Sequence, residues 1–482
     1  MKIESDLIEL KKGLLHIFID PAGPNWISCN KAGAEIIRSG INEDNNPQLD
    51  SFISRLKKEG FLDNAHKAGY PGRAMVIETK RLSELWIYTN NSCNLRCKHC
   101  LVSAGEDSNK DSLSAADIMR IVDEAKSLGV RRFYFTGGEP FLRHDILALI
   151  NYITKDRELV ILTNGTLLTK EKTEKLASID KKKLFLQISL EGSDAKIHDS
   201  IRGEGSFELA VNGIKNLIEA GIVPTITTTI TRLNMDSAVN THRFIASLGI
   251  KAHHILYLHP KGRMQRFKDE LYIDSDELSE TMQHLIEASK ETGVIIDNAE
   301  SFKARVSNKK GRKTDLCNCC YEMLCVDSDG EVYPCAAIAG DKRFSAGNVR
   351  DYSMADLWLD TPLTKRIRQS SLNDIEKCRE CYLRFICGGG CFCYGYFNEE
   401  VKTGAGRLEA ADPYCNTYKM LIENALWLQA EKGVDKESLG KKTPVIYNSM
   451  GSEISACSIS SVKQINTDFE AAGYHCSCVL TV

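Results

Sequence analysis

Apolar and polar positions change rhythm three times along the chain. Residues 14–20 (LLHIFID) and 25–30 (NWISCN) are short strand-like runs joined by the turn-forming Pro-Ala-Gly-Pro. Helical spacing follows at 32–40 (AGAEIIRSG) and, with a clear apolar stripe, at 49–61 (LDSFISRLKKEGF). This predicts a small α+β unit over residues 1–65. Gly69, Pro71 and Gly72 mark residues 66–81 as a linker.

From residue 82 to 300 the rhythm becomes strand, loop, helix, repeated. Strands are expected at 84–90 (ELWIYTN), 131–136 (RRFYFT), 159–164 (LVILTN), 183–190 (KLFLQISL), 224–231 (PTITTTIT) and 251–258 (KAHHILYL). Helical stretches such as 114–129 and 208–221 separate them. Apolar strands alternating with helices are the mark of βαβ units and a parallel sheet. Six repeats predict an α/β fold built as a partial (β/α)6 barrel, with its chemistry at the carboxyl ends of the strands. Residues 301–425 are loop-rich and have little apolar sequence to build a core, so bound metal would have to supply stability. Residues 426–482 begin as a helix and then turn polar and irregular.

Composition changes the picture at one residue type. The chain has 482 residues, a formal charge of −3 and 18 cysteines. The charge gives no general pull toward nucleic acid or anionic membrane. No apolar run approaches the roughly 18 residues of a membrane span, and the N-terminus lacks the pattern of a signal peptide. The expected location is therefore the cytoplasm, where thiols stay reduced and clustered cysteines point to metal. Three cysteines lie between Cys93 and Cys100, and eleven between Cys317 and Cys415. The others are Cys29, Cys457, Cys476 and Cys478.

The first expected barrel strand runs straight into Cys93-x3-Cys97-x2-Cys100. Three close thiolates can hold three irons of a [4Fe–4S] cube and leave the fourth open. A zinc site with His99 as fourth ligand is the alternative by spacing alone. The second strand ends in Thr136-Gly137-Gly138-Glu139-Pro140, the third in Thr163-Asn164-Gly165-Thr166 and the fourth in Ser189-Leu190-Glu191-Gly192, with Arg202 downstream. In register on successive strands, these motifs resemble the radical S-adenosylmethionine superfamily. The resemblance implies that S-adenosylmethionine chelates the open iron and is cleaved to a 5′-deoxyadenosyl radical, which abstracts hydrogen from the substrate. It also implies that Gly137, Gly138 and Glu139 receive the methionine amino group. Asn164 would line the pocket, Ser189 and Glu191 would meet the ribose, and Arg202 would pair with the cofactor carboxylate.

The second cysteine field reads Cys378-x2-Cys381-x5-Cys387-x3-Cys391, with Cys415 beyond and Cys317 and Cys335 upstream. Zinc ribbons share such pairs. The order of the ligands resembles the SPASM domain that follows the barrel in many peptide-modifying radical enzymes. That resemblance implies one auxiliary [4Fe–4S] cluster on Cys317, Cys335 and Cys391, and another on Cys378, Cys381, Cys387 and Cys415, making three clusters in all. Cys319, Cys320 and Cys325 compete for the open place in the first auxiliary cluster, and Cys393 is surplus.

Residues 1–65 resemble the PqqD-like peptide-recognition domain, a winged-helix unit that captures a leader peptide by adding it as a strand to an open edge. A DNA-reading winged helix is disfavoured, because residues 1–63 carry eight Lys/Arg against ten Asp/Glu. The order of modules implies a maturase that crosslinks a ribosomally synthesised precursor peptide, with thioether formation favoured. Its expected partners are that peptide and a low-potential flavodoxin or ferredoxin. Other radical modifications, including carbon–carbon linkage, epimerisation, sulfatase maturation and tetrapyrrole side-chain chemistry, stay open. So does a non-catalytic iron–sulfur peptide-binding protein.

Overall fold

The computed structural model describes residues 6–40, 47–62, 69–105, 112–308 and 311–450. Residues 63–68 of the expected boundary and linker, and the tail with Cys457, Cys476 and Cys478, lie outside the described residues.

Two sheets organise the chain. In the smaller one, β1 (Ile8–Lys12), β2 (Leu15–Ile19) and β3 (Trp26–Asn30) form an antiparallel meander. Side chains alternate between the two faces of a strand. Phe18, Ile27 and Cys29 pack with α1 (Lys31–Ser39) and α2 (Pro47–Glu59). Leu15, Ile17, Ile19 and Trp26 join a different cluster, with Leu421, Ile422 and Leu426. Both faces are covered, so β2 and β3 are buried at every position. The unit is thus not the separate body its sequence suggests. The Trp26 indole donates to the Val306 carbonyl at 2.8 Å, and Gly311 N–H donates to Asn25 Oδ1 at 2.9 Å.

The larger sheet has ten strands. Its parallel core is β4 (Glu84–Asn90), β5 (Arg132–Gly137), β6 (Glu158–Thr163), β7 (Leu184–Ser189), β8 (Thr225–Thr229) and β9 (Ala252–Leu256). The crossovers hold α3 (Ala115–Ser127), α4 (Ile146–Thr154), α5 (Lys170–Ala177), α6 (Ala195–Arg202), α7 (Ser206–Glu219) and α8 (Ala238–Ser247). This is the expected α/β architecture of a partial barrel. Strands buried on both faces read as apolar runs, and Phe133, Phe135, Leu159 and Ile161 are fully enclosed. β8 instead buries threonines, and Thr228 Oγ1 donates to the Leu190 carbonyl at 2.6 Å. A two-residue β10 (Ile295–Ile296) continues the parallel run beside β9.

The cysteine-dense region continues this sheet rather than standing beside it as loops. β11 (Met323–Val326) lies parallel to β4, with Cys325 opposite Trp86. β12 (Glu331–Tyr333) and β13 (Gly347–Asn348) follow antiparallel. Met-Leu-Cys-Val is a four-residue apolar run, and counting its cysteine as a ligand hides the strand. Residues past Gly69 are likewise no free connector. Arg73 is buried and donates to the carbonyls of Ser370, Cys317 and Ile367 at 2.5–2.8 Å. Buried Asp315 accepts from the hydroxyls of Tyr70 and Ser371 and from the N–H groups of Arg73 and Leu372. At the end of the described residues, β14 (Ile446–Ser449) pairs antiparallel with β3, giving a sheet of four described strands.

Candidate functional site

The carboxyl ends of β4 to β7 meet at the loop of Cys93, Cys97 and Cys100. That loop is fixed from three sides. Glu139 N–H donates to the Ser92 carbonyl and Gly138 N–H to the Asn90 carbonyl, both at 2.8 Å. A Cβ on Gly138 would stand 1.8 Å from the Ser92 carbonyl oxygen, and one on Gly137 2.2 Å from that of Asn90. The two glycines are therefore required by the approach of the β5 turn to the cysteine loop. Lys98 N–H donates to the Ile201 carbonyl at 2.8 Å. From the segment after β9, Arg263 donates through its backbone to Cys100 and through its guanidinium to Cys97, at 2.9 and 2.8 Å.

Two buried carboxylates organise the strand ends. Glu139 accepts from Thr163 Oγ1 at 2.6 Å, Asn164 N–H at 2.8 Å and Phe141 N–H at 3.1 Å, so it clamps β5 to the turn after β6. Burial raises its pKa, and these bonds oppose the rise. Glu191 is fully buried at the end of β7. Its Oε1 takes Arg202 Nε and Nη2 at 2.9 and 2.6 Å, and its Oε2 takes Thr229 N–H at 2.8 Å. The sequence reading aimed Glu191 at a ribose and Arg202 at a cofactor carboxylate; here they are each other's partner. Two opposite charges brought this far from water must neutralise one another. Arg202 Nη1 also lies 3.7 Å from Cys97 Sγ. Ser189 ends β7, half-buried and opposite Thr227. Asn164 Nδ2 donates to Asn94 Oδ1 at 2.9 Å and approaches Cys93 Sγ at 4.0 Å.

Burial raises two of the loop's thiols. Cys97 is pushed up to about 11, with Arg202 opposing, and Cys93 is raised as well. Burial first and Arg202 second lower His198 to about 4 and push His99 far below its ordinary range. His99 Nδ1 and Asn90 Oδ1 are buried with no hydrogen-bond partner. Grouped thiols beside unsatisfied polar atoms fit an iron–sulfur centre, which would hold them as thiolates.

In the second field burial raises Cys378 and Cys387 to about 12 and raises Cys415, and Cys381 stands close enough to add to the rise in all three. Around Cys335 the arrangement departs from expectation. Its nearest sulfur is Cys393, at 3.4 Å, and Cys317 meets Cys319 at 3.1 Å. Of the three expected candidates Cys319, Cys320 and Cys325, Cys319 lies against Cys317, and Cys393, expected to be surplus, lies against Cys335. Cys391 interacts with Cys393. Cys320 is held with φ 64° while its carbonyl accepts from Trp358 and Arg368. Cys325 lies on β11 within electrostatic reach of Cys335.

Sequence reading missed several residues that hold this region together. Asp412, raised to about 6 by burial, accepts from Cys391 N–H and Tyr414 N–H at 2.8 Å. Its only signal is its place three residues before Cys415. Lys261 donates to the Ala337 and Ala339 carbonyls beside Cys335 and Cys393, and burial lowers it. Tyr88 feels Cys325, Cys335 and Cys100 together, so it lies between the barrel loop and the second field. Nothing in the local sequence marks either residue.

The family model "Radical SAM superfamily" matches residues 87–245, and "Iron-sulfur cluster-binding domain" (SPASM) matches 298–382. The mycofactocin maturase MftC of Mycolicibacterium smegmatis is 30% identical over 67% of this chain and 80% of its own length. The AdoMet-dependent heme synthase of Oleidesulfovibrio alaskensis is 28% identical over 68% of this chain and 85% of its own. Among solved structures, Streptococcus suis SuiB bound to precursor peptide SuiA shares the fold, with a TM-score of 0.56, 19% identity, and 85% and 98% of the two chains covered. On this evidence the chain belongs to the radical S-adenosylmethionine enzymes with a SPASM domain, and its cofactors are S-adenosylmethionine, a [4Fe–4S] cluster in the barrel and further iron–sulfur clusters in the SPASM domain.

Proposed function

We propose that the chain matures a ribosomally made precursor peptide by closing a thioether between a cysteine sulfur and a carbon. The observation that carries this reading is the small sheet. Its β3 pairs antiparallel with an extended segment of this chain, β14, while one face packs on α1 and α2 and the other on Leu421, Ile422 and Leu426, and strand addition to such an edge is a way of taking up a peptide. The peptide-recognition role of the N-terminal unit, and capture of a leader there, belong to this proposal. MftC is named as a maturase and SuiB is solved with its precursor peptide, which supports a peptide substrate.

In this reading Cys93, Cys97 and Cys100 hold the barrel cluster, and Gly137, Gly138, Glu139, Asn164, Ser189, Glu191 and Arg202 shape the S-adenosylmethionine pocket. Glu139 and Glu191 do so as positioning residues, since strand-end N–H groups and Arg202 occupy their oxygens. When bound, S-adenosylmethionine supplies a one-electron oxidant that removes a hydrogen atom from an unactivated carbon. One auxiliary cluster draws on Cys317, Cys335 and Cys391 with Cys319 and Cys393 at hand. The other draws on Cys378, Cys381, Cys387 and Cys415. The donor is a low-potential flavodoxin or ferredoxin, and the compartment is the reducing cytoplasm.

The test is mass spectrometry of a cysteine-containing precursor peptide after anaerobic co-expression. Each thioether removes two hydrogens, and Cys97→Ala abolishes the change. The likeness to a heme synthase favours a second reading, tetrapyrrole side-chain chemistry. An unchanged peptide and a consumed tetrapyrrole, with clusters intact, would select it.

A further inference from the structure

Residues 259–263, which follow β9, touch both cysteine fields. Gly262 is pressed against the barrel loop, where a Cβ would stand 2.3 Å from the Leu101 carbonyl oxygen and 2.5 Å from that of Cys100. Arg263 continues the clamp. Its N–H donates to the Cys100 carbonyl at 2.9 Å, and its guanidinium donates to the carbonyls of Cys97 and Ala104. Lys261 reaches the second field instead. Its Nζ is part-buried, donates to the Ala337 carbonyl at 3.4 Å and to that of Ala339, and lies 5.7 Å from the centre of the Phe397 ring. Phe397 belongs to the helix Phe392–Thr403, which also carries Cys393.

This ammonium has no ordinary counter-charge. Among the described residues its hydrogen bonds go to carbonyls, and it forms no ion pair. The carboxylates in its field are engaged elsewhere: Asp341 takes Arg343 Nε at 2.9 Å, and Asp327 takes Asn91 Nδ2 at 3.0 Å and Ser328 N–H at 2.6 Å. The groups of opposite sign that it feels first are the sulfurs of Cys393 and Cys335. A charge withdrawn from water is costly unless an opposite charge is set against it.

The turn Ala336–Ile338 connects the ammonium to one of those sulfurs. The Cys335 thiol accepts from the N–H groups of Ala337 and Ile338. The peptide group between Ala337 and Ile338 therefore bridges the two, with its N–H toward the sulfur and its C=O toward Lys261.

We infer that Lys261 is the built-in counter-ion of the auxiliary iron–sulfur cluster at Cys335 and raises that cluster's reduction potential. This rests on the proposed cluster on Cys317, Cys335 and Cys391, and not on which bond the enzyme forms. A cluster held by thiolates is anionic and becomes more so on reduction, so a fixed cation favours the reduced state, as do hydrogen bonds to the sulfurs. Lys261 is thus a positioning residue for charge: it fixes the turn and sets the field in which the cluster takes up an electron.

The test is a redox titration of the full chain, loaded anaerobically with iron and sulfide and followed by electron paramagnetic resonance. Cys93→Ala, Cys97→Ala and Cys100→Ala together remove the barrel cluster and leave the auxiliary signals. In that background Lys261→Gln keeps a donor for the carbonyls but loses the charge, whereas Lys261→Arg keeps both. Lys261→Gln should weaken reduction of one auxiliary cluster at least about tenfold, a fall of about 59 mV for one electron. The other cluster should be unmoved, and Lys261→Arg should hold both in place. Loss of that one cluster with Lys261→Gln but not with Lys261→Arg would also show that the charge is needed. A potential unmoved or raised by Lys261→Gln, equal falls in both variants, or loss of the cluster from both would leave Lys261 a tie between segments and overturn the inference. Absence of auxiliary iron from the background chain itself would remove the cluster assignment, and the inference with it.

Discussion

Both sheets of this protein are finished by a strand from far along the chain, yet the two joints are built differently. β11 enters beside β4 in unbroken parallel register, and Leu324, Cys325 and Val326 are wholly enclosed. β14 enters beside β3 with a register shift, and polar side chains of the N-terminal unit add to its main-chain pairing. Area removed from water is worth about 25 cal/mol per Å², whereas a net hydrogen bond is worth about 1 kcal/mol and is exchangeable with water. The first joint therefore locks the SPASM region to the barrel by apolar burial, and the second adds polar grips on its backbone to the burial of Ile446 and Met450.

The largest effect should come from the locked joint. Leu324→Ala leaves a cavity under β4 and costs about 2–5 kcal/mol in chemical denaturation, with iron content falling as the strand that carries Cys325 loosens. Unchanged stability would erase the contrast. Next in size is an effect of acid. His242 and His253 face one another at 3.1 Å between α8 and β9, and burial lowers both, His242 to about 4. Their folded pKa lies below the unfolded value, so the fold binds fewer protons and stability rises with pH through that window. Between pH 7 and pH 5 His242 alone should cost about 2 kcal/mol, and His242→Asn should flatten the profile measured by thermal melting. The smallest change falls on the second joint. Asn30 caps α1 through Gly33 N–H and also binds three carbonyls before β14. Asn30→Asp keeps the capping oxygen but loses the donors. Hydrogen exchange should then rise in residues 438–450 while α1 holds its protection, at a global cost of about 1–2 kcal/mol.

What was legible in the sequence was what repeats or clusters. The strand–helix alternation from residue 84 onward and the Cys93–Cys97–Cys100 spacing depend on local pattern, and the model places them as one unit. Hidden were features settled only by long-range pairing. Met323–Val326 and Ile446–Ser449 are four residues each, too short for periodicity to distinguish from loops. Glu191 and Arg202 each look free until the fold sets them face to face. Cys393 resembles a spare until its neighbour Cys335 is known.

The pairing of β3 with β14 also sets a timetable. Asn30 and Val445 are 415 residues apart, so at roughly 5–20 residues per second the ribosome needs roughly 20–80 s to supply the partner after β3 has been made. Throughout that interval the nascent chain presents an unpaired, β-rich edge, the kind of template on which chains cross-pair.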